Sequence, residues 1–113
     1  MNTMPARDPL VYVMHMRDCC LRIIDYAAQG GPDWPTKAIV MDAICRNVEI
    51  IGEAARKLDG SFHEAHPEIP WSSIIGARNI VIHAYEYLRP ELIRDIVESD
   101  IPKLLDSVRR ILG

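Results

Sequence analysis

Residues 35–58 read Pro-Thr-Lys-Ala-Ile-Val-Met-Asp-Ala-Ile-Cys-Arg-Asn-Val-Glu-Ile-Ile-Gly-Glu-Ala-Ala-Arg-Lys-Leu, and this stretch decides the fold. Val40, Ala43, Ile44, Ile50, Ile51, Ala54 and Leu58 recur at helical period. Arg46, Glu49, Glu53, Arg56 and Lys57 fall to the other side. The pattern predicts a helix from near Pro35-Thr36 to Leu58, ended by Asp59-Gly60. At about 100° per residue, Asn47 sits near the middle of the apolar stripe. A polar amide on a core face needs hydrogen-bond partners. Asn47 is therefore expected to be a satisfied core amide that ties the second and third helices together. Glu53 is expected to bond Arg46 along its own helix or to reach a neighbouring cleft, with the structural role the simpler one.

The flanking segments extend the same reading. Residues 1–8 look like a loose leader. Asp8-Pro9 supplies an N-cap and a proline for the first helical position. A first helix is expected over Pro9–Ala28, with Val13, Met16, Cys20, Ile23, Ile24 and Ala27 inward, before Gln29-Gly30-Gly31-Pro32-Asp33 stops it. Residues 61–70 read as a proline-containing connector. A third helix runs from Pro70-Trp71 to about Tyr87, with Trp71 anchoring its start, and Arg89-Pro90 breaks the chain. Pro90 to Leu112 is again apolar at helical period, and Ser99-Asp100 with Pro102 is placed to split or kink it. No segment shows strand alternation. The expected architecture is all-α, a four- to five-helix, mostly antiparallel bundle forming one domain over residues 1–113.

Composition narrows the function. The net charge is −3, so no general basic field attracts nucleic acid, and a local site would have to do so. One Phe, two Trp and four Tyr are too few for a stacking platform on single strands. Cys19, Cys20 and Cys45 are an odd number without a C-x-x-C pair, which reads as reduced, buried thiols of a cytoplasmic protein. No signal peptide or membrane span is expected. His63 and His66 have metal-compatible spacing but lack a third ligand, so no metal and no cofactor is expected. His15 and the Cys19-Cys20 pair read as packing residues on the first helix.

The chemistry concentrates in Arg78-Asn79-Ile80-Val81-Ile82-His83-Ala84-Tyr85. With Arg78 at zero on a helical wheel, Tyr85 lies about 20° away, Ile82 about 40°, Glu86 about 80°, Asn79 about 100° and His83 about 140°. Ala77, Ile80, Val81, Ala84 and Leu88 fill the opposite, core-facing arc, together with Ile74. A guanidinium holds phosphate through paired hydrogen bonds and never loses its charge. An imidazole moves a proton near neutral pH. Asn79 is four residues before His83, so its amide can fix the imidazole tautomer. Arg78 and His83 diverge too far for one straight helix to aim both at one atom. A second copy of the helix facing the first would pool both pairs in one cleft and would cover Ile82.

The segments around this motif give it a family. Arg46-Asn47-Val48-Glu49-Ile50-Ile51-Gly52-Glu53-Ala54, His66-Pro67-Glu68-Ile69-Pro70-Trp71, Ile75-Gly76-Ala77-Arg78-Asn79, His83-Ala84-Tyr85 and Asp100-Ile101-Pro102-Lys103-Leu104-Leu105 follow in order. Together they resemble the HepT family of HEPN-domain proteins from Met41 to Leu112, whereas residues 9–40 match only as a generic first helix. The resemblance implies a small α-helical ribonuclease toxin of a toxin–antitoxin pair. It implies a homodimer with Arg-x4-His motifs meeting at the interface. It also implies a partner, a minimal nucleotidyltransferase that silences the toxin by attaching AMP to the motif tyrosine. By position, Arg78 and His83 take the catalytic roles and Tyr85 is the modified residue, with Tyr87 close by. Ala77 replaces a common Met, and Glu86-Tyr87-Leu88-Arg89-Pro90 departs from the family's commoner Phe-Gly-Val-Asp turn.

The reaction these residues suit is metal-independent RNA cleavage. The 2′-hydroxyl attacks the adjacent phosphorus, His83 acts as base or acid, and Arg78 stabilises the growing negative charge. An AMP on Tyr85, beside Arg78 on the wheel, would neutralise that guanidinium and block the cleft. The alternative is a non-catalytic helical module that binds nucleotide or presents a substrate to a nucleotidyltransferase.

Overall fold

A computed structural model describes residues 8–113. The reading of residues 1–8 as a loose leader lies outside the described residues apart from Asp8. Asp8 is the cap of α1: its side chain accepts from the Leu10 amide at 2.9 Å, with Pro9 at the first helical position. Helix α1 is Pro9–Gly30, two residues longer than the sequence suggested. Gly31 ends it at φ 77°, a conformation that costs only glycine little. A short 3₁₀ turn, Trp34–Thr36, leads to α2, Ala38–Lys57. The supposed connector holds a further short helix, α3, Gly60–Ala65. Asp59 caps it by accepting from the Phe62 amide at 2.9 Å, so Asp59-Gly60 starts a helix as well as ending one. Helix α4 is Trp71–Glu86 and α5 is Pro90–Asp95. Residues Ile96–Asp100 then form a π-helical segment that runs without a break into α6, Ile101–Leu112. Pro102 has no N–H for the Glu98 carbonyl, so the regular ladder fails there and the widened turn takes its place. The proline thus distorts the rod without splitting it.

Helix α1 packs against both α2 and α6, and α4 packs against α2. The shared core is built from Val13, Met16, Cys20, Ile23, Ile44, Val48, Ile51, Val81, Ala84, Ile93, Leu104 and Val108. The body measures 49 × 31 × 22 Å. Helix α4 has bundle on one side and solvent on the other: Val81 and Ala84 are buried, whereas Arg78, Asn79, Ile82 and His83 are exposed. This is the expected all-α bundle, and no strand occurs among the described residues.

Several inward assignments need correction. Ile24, Ile80 and Leu88 were expected in the core and are exposed. Ile24 and Ile80 lie on the flanks of their helices, past the edge of the buried stripe. Leu88 lies beyond the end of α4 at φ 53°, where the helical phase no longer applies. His15 is also exposed, edge-on to Tyr12, and does not pack inward. Asn47 is buried and satisfied, but within its own helix, where Nδ2 donates to the Ala43 carbonyl at 2.8 Å. It therefore does not tie α2 to α4 by that bond.

The close approach of α2 and α4 has another source. A side chain at Gly52 would place its first carbon 3.3 Å from the Ile74 carbonyl oxygen. Any larger residue would push the two backbones apart by a few tenths of an ångström. Trp71 holds the start of α4 as expected: it is buried, donates from Nε1 to the His66 carbonyl at 3.0 Å, and stacks on His63 at 4.4 Å.

Candidate active site on helix α4

Helix α4 splits by its own periodicity. Val81 and Ala84 are buried against α2, while Arg78, Asn79, Ile82, His83, Tyr85 and Glu86 all stand on the exposed side. The arc of functional groups inferred from the wheel is present. It also carries Ile82 at 38% exposure, an apolar side chain set among polar ones.

Within one chain the motif groups do not converge. Arg78 leans back along the bundle to α2, with Nη1 3.5 Å from Glu53 Oε1. Glu53 is held on its other oxygen by Arg56 at 3.0 Å. These two guanidinium groups, Arg56 first, keep the Glu53 carboxyl below the usual carboxylate range. Glu53 thus bonds Arg56 and Arg78, and Arg46 instead pairs with Glu49 at 3.5 Å. His83 lies five residues on, about 7.5 Å along the axis, and stacks in parallel on Tyr87 with ring centroids 6.0 Å apart. No hydrogen bond joins Asn79 to His83 among the described residues.

Tyr85 points elsewhere again. It stands over a groove of about 450 Å³ between α2 and α4, lined by Asp42, Cys45, Arg46, Glu49, Val81, Ile82, Tyr85 and Glu86. The Asp42 carboxylate facing its hydroxyl raises the phenol above its ordinary pKa. The wheel put Tyr85 beside Arg78, but the neighbouring helix sorts the two differently: Arg78 meets Glu53 and Tyr85 meets Asp42, three turns apart on α2. Asp42 went unnoticed in the sequence because it has no motif of its own. Its spacing of four residues from Arg46 was the available signal.

After the motif, the chain turns through a left-handed cap. Tyr87 donates to the His83 carbonyl at 3.0 Å, Leu88 to Tyr85 at 3.4 Å and Arg89 to Ala84 at 2.7 Å. This closing pattern ordinarily has glycine where Leu88 stands. A second cleft, of about 440 Å³, lies between α4 and the π segment with α6, on Ile74, Ala77, Ile96, Ile101 and Leu104. Among the described residues, Arg78, Asn79, His83 and Tyr85 do not line it, so it is set apart from the candidate site. Among the described residues no cluster of three or more His, Cys, Asp or Glu is arranged to hold a metal, and no helix is long and apolar enough to cross a membrane.

A family model described as "Ribonuclease HepT-like" matches residues 16–111. "Putative RNase MJ1380" of Methanocaldococcus jannaschii is 42% identical over 106 residues, covering 93% of this chain and 97% of the relative. "Putative RNase TTE0752" of Caldanaerobacter subterraneus subsp. tengcongensis is 31% identical over 107 residues, covering 94% and 96%. "Probable ribonuclease HepT" of Thermococcus cleftensis is 40% identical over 69 residues, covering 61% and 63%. No solved structure matches. With its bundle, its outward motif helix and this match over most of its length, the chain belongs to the HepT-like ribonuclease family.

Proposed function

We propose that this protein is a homodimeric, metal-independent endoribonuclease, the toxin of a toxin–antitoxin pair, silenced when a partner nucleotidyltransferase attaches AMP to Tyr85. The observation that supports this most is the exposed face of α4, where Arg78, Asn79, Ile82 and His83 stand together and unburied. Arg78 and His83 do not meet within one chain, so a shared phosphate needs the same face of a second copy. A two-fold axis across α4 brings the arginine and histidine pairs into one cleft and covers Ile82.

In that cleft the 2′-hydroxyl attacks the neighbouring phosphorus, and His83 transfers the proton as base to the hydroxyl or acid to the leaving oxygen. Arg78 exchanges its exposed contact with Glu53 for the phosphate and holds the charge of the transition state. The product carries a cyclic phosphate, and DNA is not cut because it lacks the attacking hydroxyl. Arg78→Ala and His83→Ala, purified and folded, each lower RNA cleavage by about a hundredfold or more, with EDTA present throughout. Cleavage at the parent's rate by either variant overturns the assignment.

The alternative, a non-catalytic module beside a nucleotidyltransferase, is favoured by one observation: Arg78 already has a carboxylate partner. A chain that binds the partner enzyme yet leaves RNA intact in the same assay decides for it.

A further inference from the structure

The groove between α2 and α4 is organised around the Tyr85 hydroxyl. Tyr85 is 53% exposed and lines this groove, so an incoming reagent can approach the side chain from solvent. From α2, Asp42 faces it, with Cys45, Arg46 and Glu49 lining the same groove, and from α4 Glu86 completes the rim. Among the described residues the lining comes from α2 and α4. Arg46 is one turn along α2 from Asp42, and its side chain is 70% exposed, held among the described residues by a 3.5 Å contact with Glu49. A phenol with a carboxylate and a loosely held guanidinium in the same groove is set up to attack a phosphorus atom. The carboxylate takes the proton and the guanidinium takes the phosphate oxygens.

We propose that Asp42 is the proton acceptor for modification of Tyr85, and that Arg46, rather than Arg78, holds the phosphate that becomes attached. The inference rests on the Tyr85 modification proposed above and adds the residues of this chain that carry it out. Tyr85 Oη attacks the α-phosphorus of a nucleoside triphosphate bound by the partner nucleotidyltransferase. The Tyr–O–P bond forms, the α–β phosphoanhydride bond breaks, and pyrophosphate leaves. The phenolic proton passes to the Asp42 carboxylate and from there to solvent. The new phosphodiester then lies against Arg46, in the groove beside Ile82, where it obstructs any second copy docked on α4.

The test is nucleotide incorporation into the full chain by the neighbouring nucleotidyltransferase with ATP, followed by mass spectrometry across a range of pH. The parent is labelled at Tyr85 at a rate that is level near neutrality, and Tyr85→Phe is not labelled there. Asp42→Asn is slowed about a hundredfold near neutral pH, and its rate climbs about tenfold per pH unit toward the range where a phenol ionises unaided. Asp42→Glu keeps most of the parent's rate. Arg46→Gln is slower at every pH with the profile unchanged in shape. Asp42→Asn labelled at the parent's rate, or with a parallel profile, overturns the role of Asp42 while leaving the modification intact. Loss of partner binding in Asp42→Asn does the same, by making Asp42 a docking residue. Arg46→Gln at the parent's rate overturns the phosphate contact. A parent chain that takes no label overturns the modification itself, and this inference with it.

Discussion

Glu53 bridges Arg78 on α4 to Arg56 on its own helix, with one carboxylate oxygen on each, at 3.5 and 3.0 Å. Both contacts are solvent-exposed, so they orient Arg78 more than they stabilise the fold. Glu53→Gln is expected to leave the urea midpoint within error. It also removes the charge that offsets Arg78, so RNA binding tightens about two- to fivefold at low salt, with a steeper salt dependence. Fluorescence anisotropy against ionic strength measures it. The Glu53 carboxyl is depressed, so its contacts are complete above the ordinary carboxylate range. They are lost only as pH falls through the lowered value. Acidifying the parent should therefore approach the variant's affinity.

Gly52 sets the spacing of the motif helix. Gly52→Ala puts a methyl group 3.3 Å from the Ile74 carbonyl oxygen, which is backbone and cannot rotate away. The expected cost is about 1–3 kcal/mol in denaturant unfolding, with an accompanying loss of cleavage as α4 moves outward. Gly76→Ala meets open space in the same family of helices and is the control.

Leu88 holds a left-handed conformation at φ 53° while 85% exposed. Its side chain contributes little packing, and the strain of a bulky residue there is about 1–2 kcal/mol. Leu88→Gly relieves that strain and restores flexibility to the unfolded chain. The expected net gain is about 0.5–1 kcal/mol by urea unfolding.

Burial pushes the Cys20 thiol up to about 12 and the Cys45 thiol up to about 11, and raises Cys19 as well. These thiols stay protonated in the folded chain well above the pH at which an unfolded thiol ionises. Their contribution is therefore fully present below about pH 9 and is lost as pH rises toward 11–12. Stability should fall by up to about 1.4 kcal/mol per pH unit for each such thiol across that range. At pH 8 a thiol reagent should label the native protein far more slowly than the protein in urea.

Much of this molecule was legible in its sequence because helical periodicity reports burial directly. The stripe of α2, the cap at Asp8, the anchor at Trp71 and the outward face of α4 all follow from spacing and local chemistry. What was missed involves a second element. The wheel of α4 placed Tyr85 beside Arg78, but it carries no information about which side chains of α2 await each of them. Glu53 and Asp42 make that choice. The burial of Ile80 and Leu88 was overestimated for a related reason. A wheel treats a helix as endless and its core face as wide, whereas α4 ends at Glu86 and touches the bundle along a narrow strip. Helix α3 went unread because six residues are too few for a period to show.

The widened turn at Ile96–Asp100 looks like a flaw in an otherwise regular rod, yet the buried side chains on both sides of it depend on it. Ile93, Val97 and Ile101 are spaced four and four, a step that drifts about 80° around a regular helix over eight residues. The slack turn absorbs that drift, so all three point inward. Removing one residue there, such as the exposed Ser99, would close up the widened turn, although Pro102 would still donate no hydrogen bond. It would also rotate everything downstream, carrying Leu104 and Val108 toward water. Local order and global fit oppose each other at this one place, and the fold keeps the irregular solution.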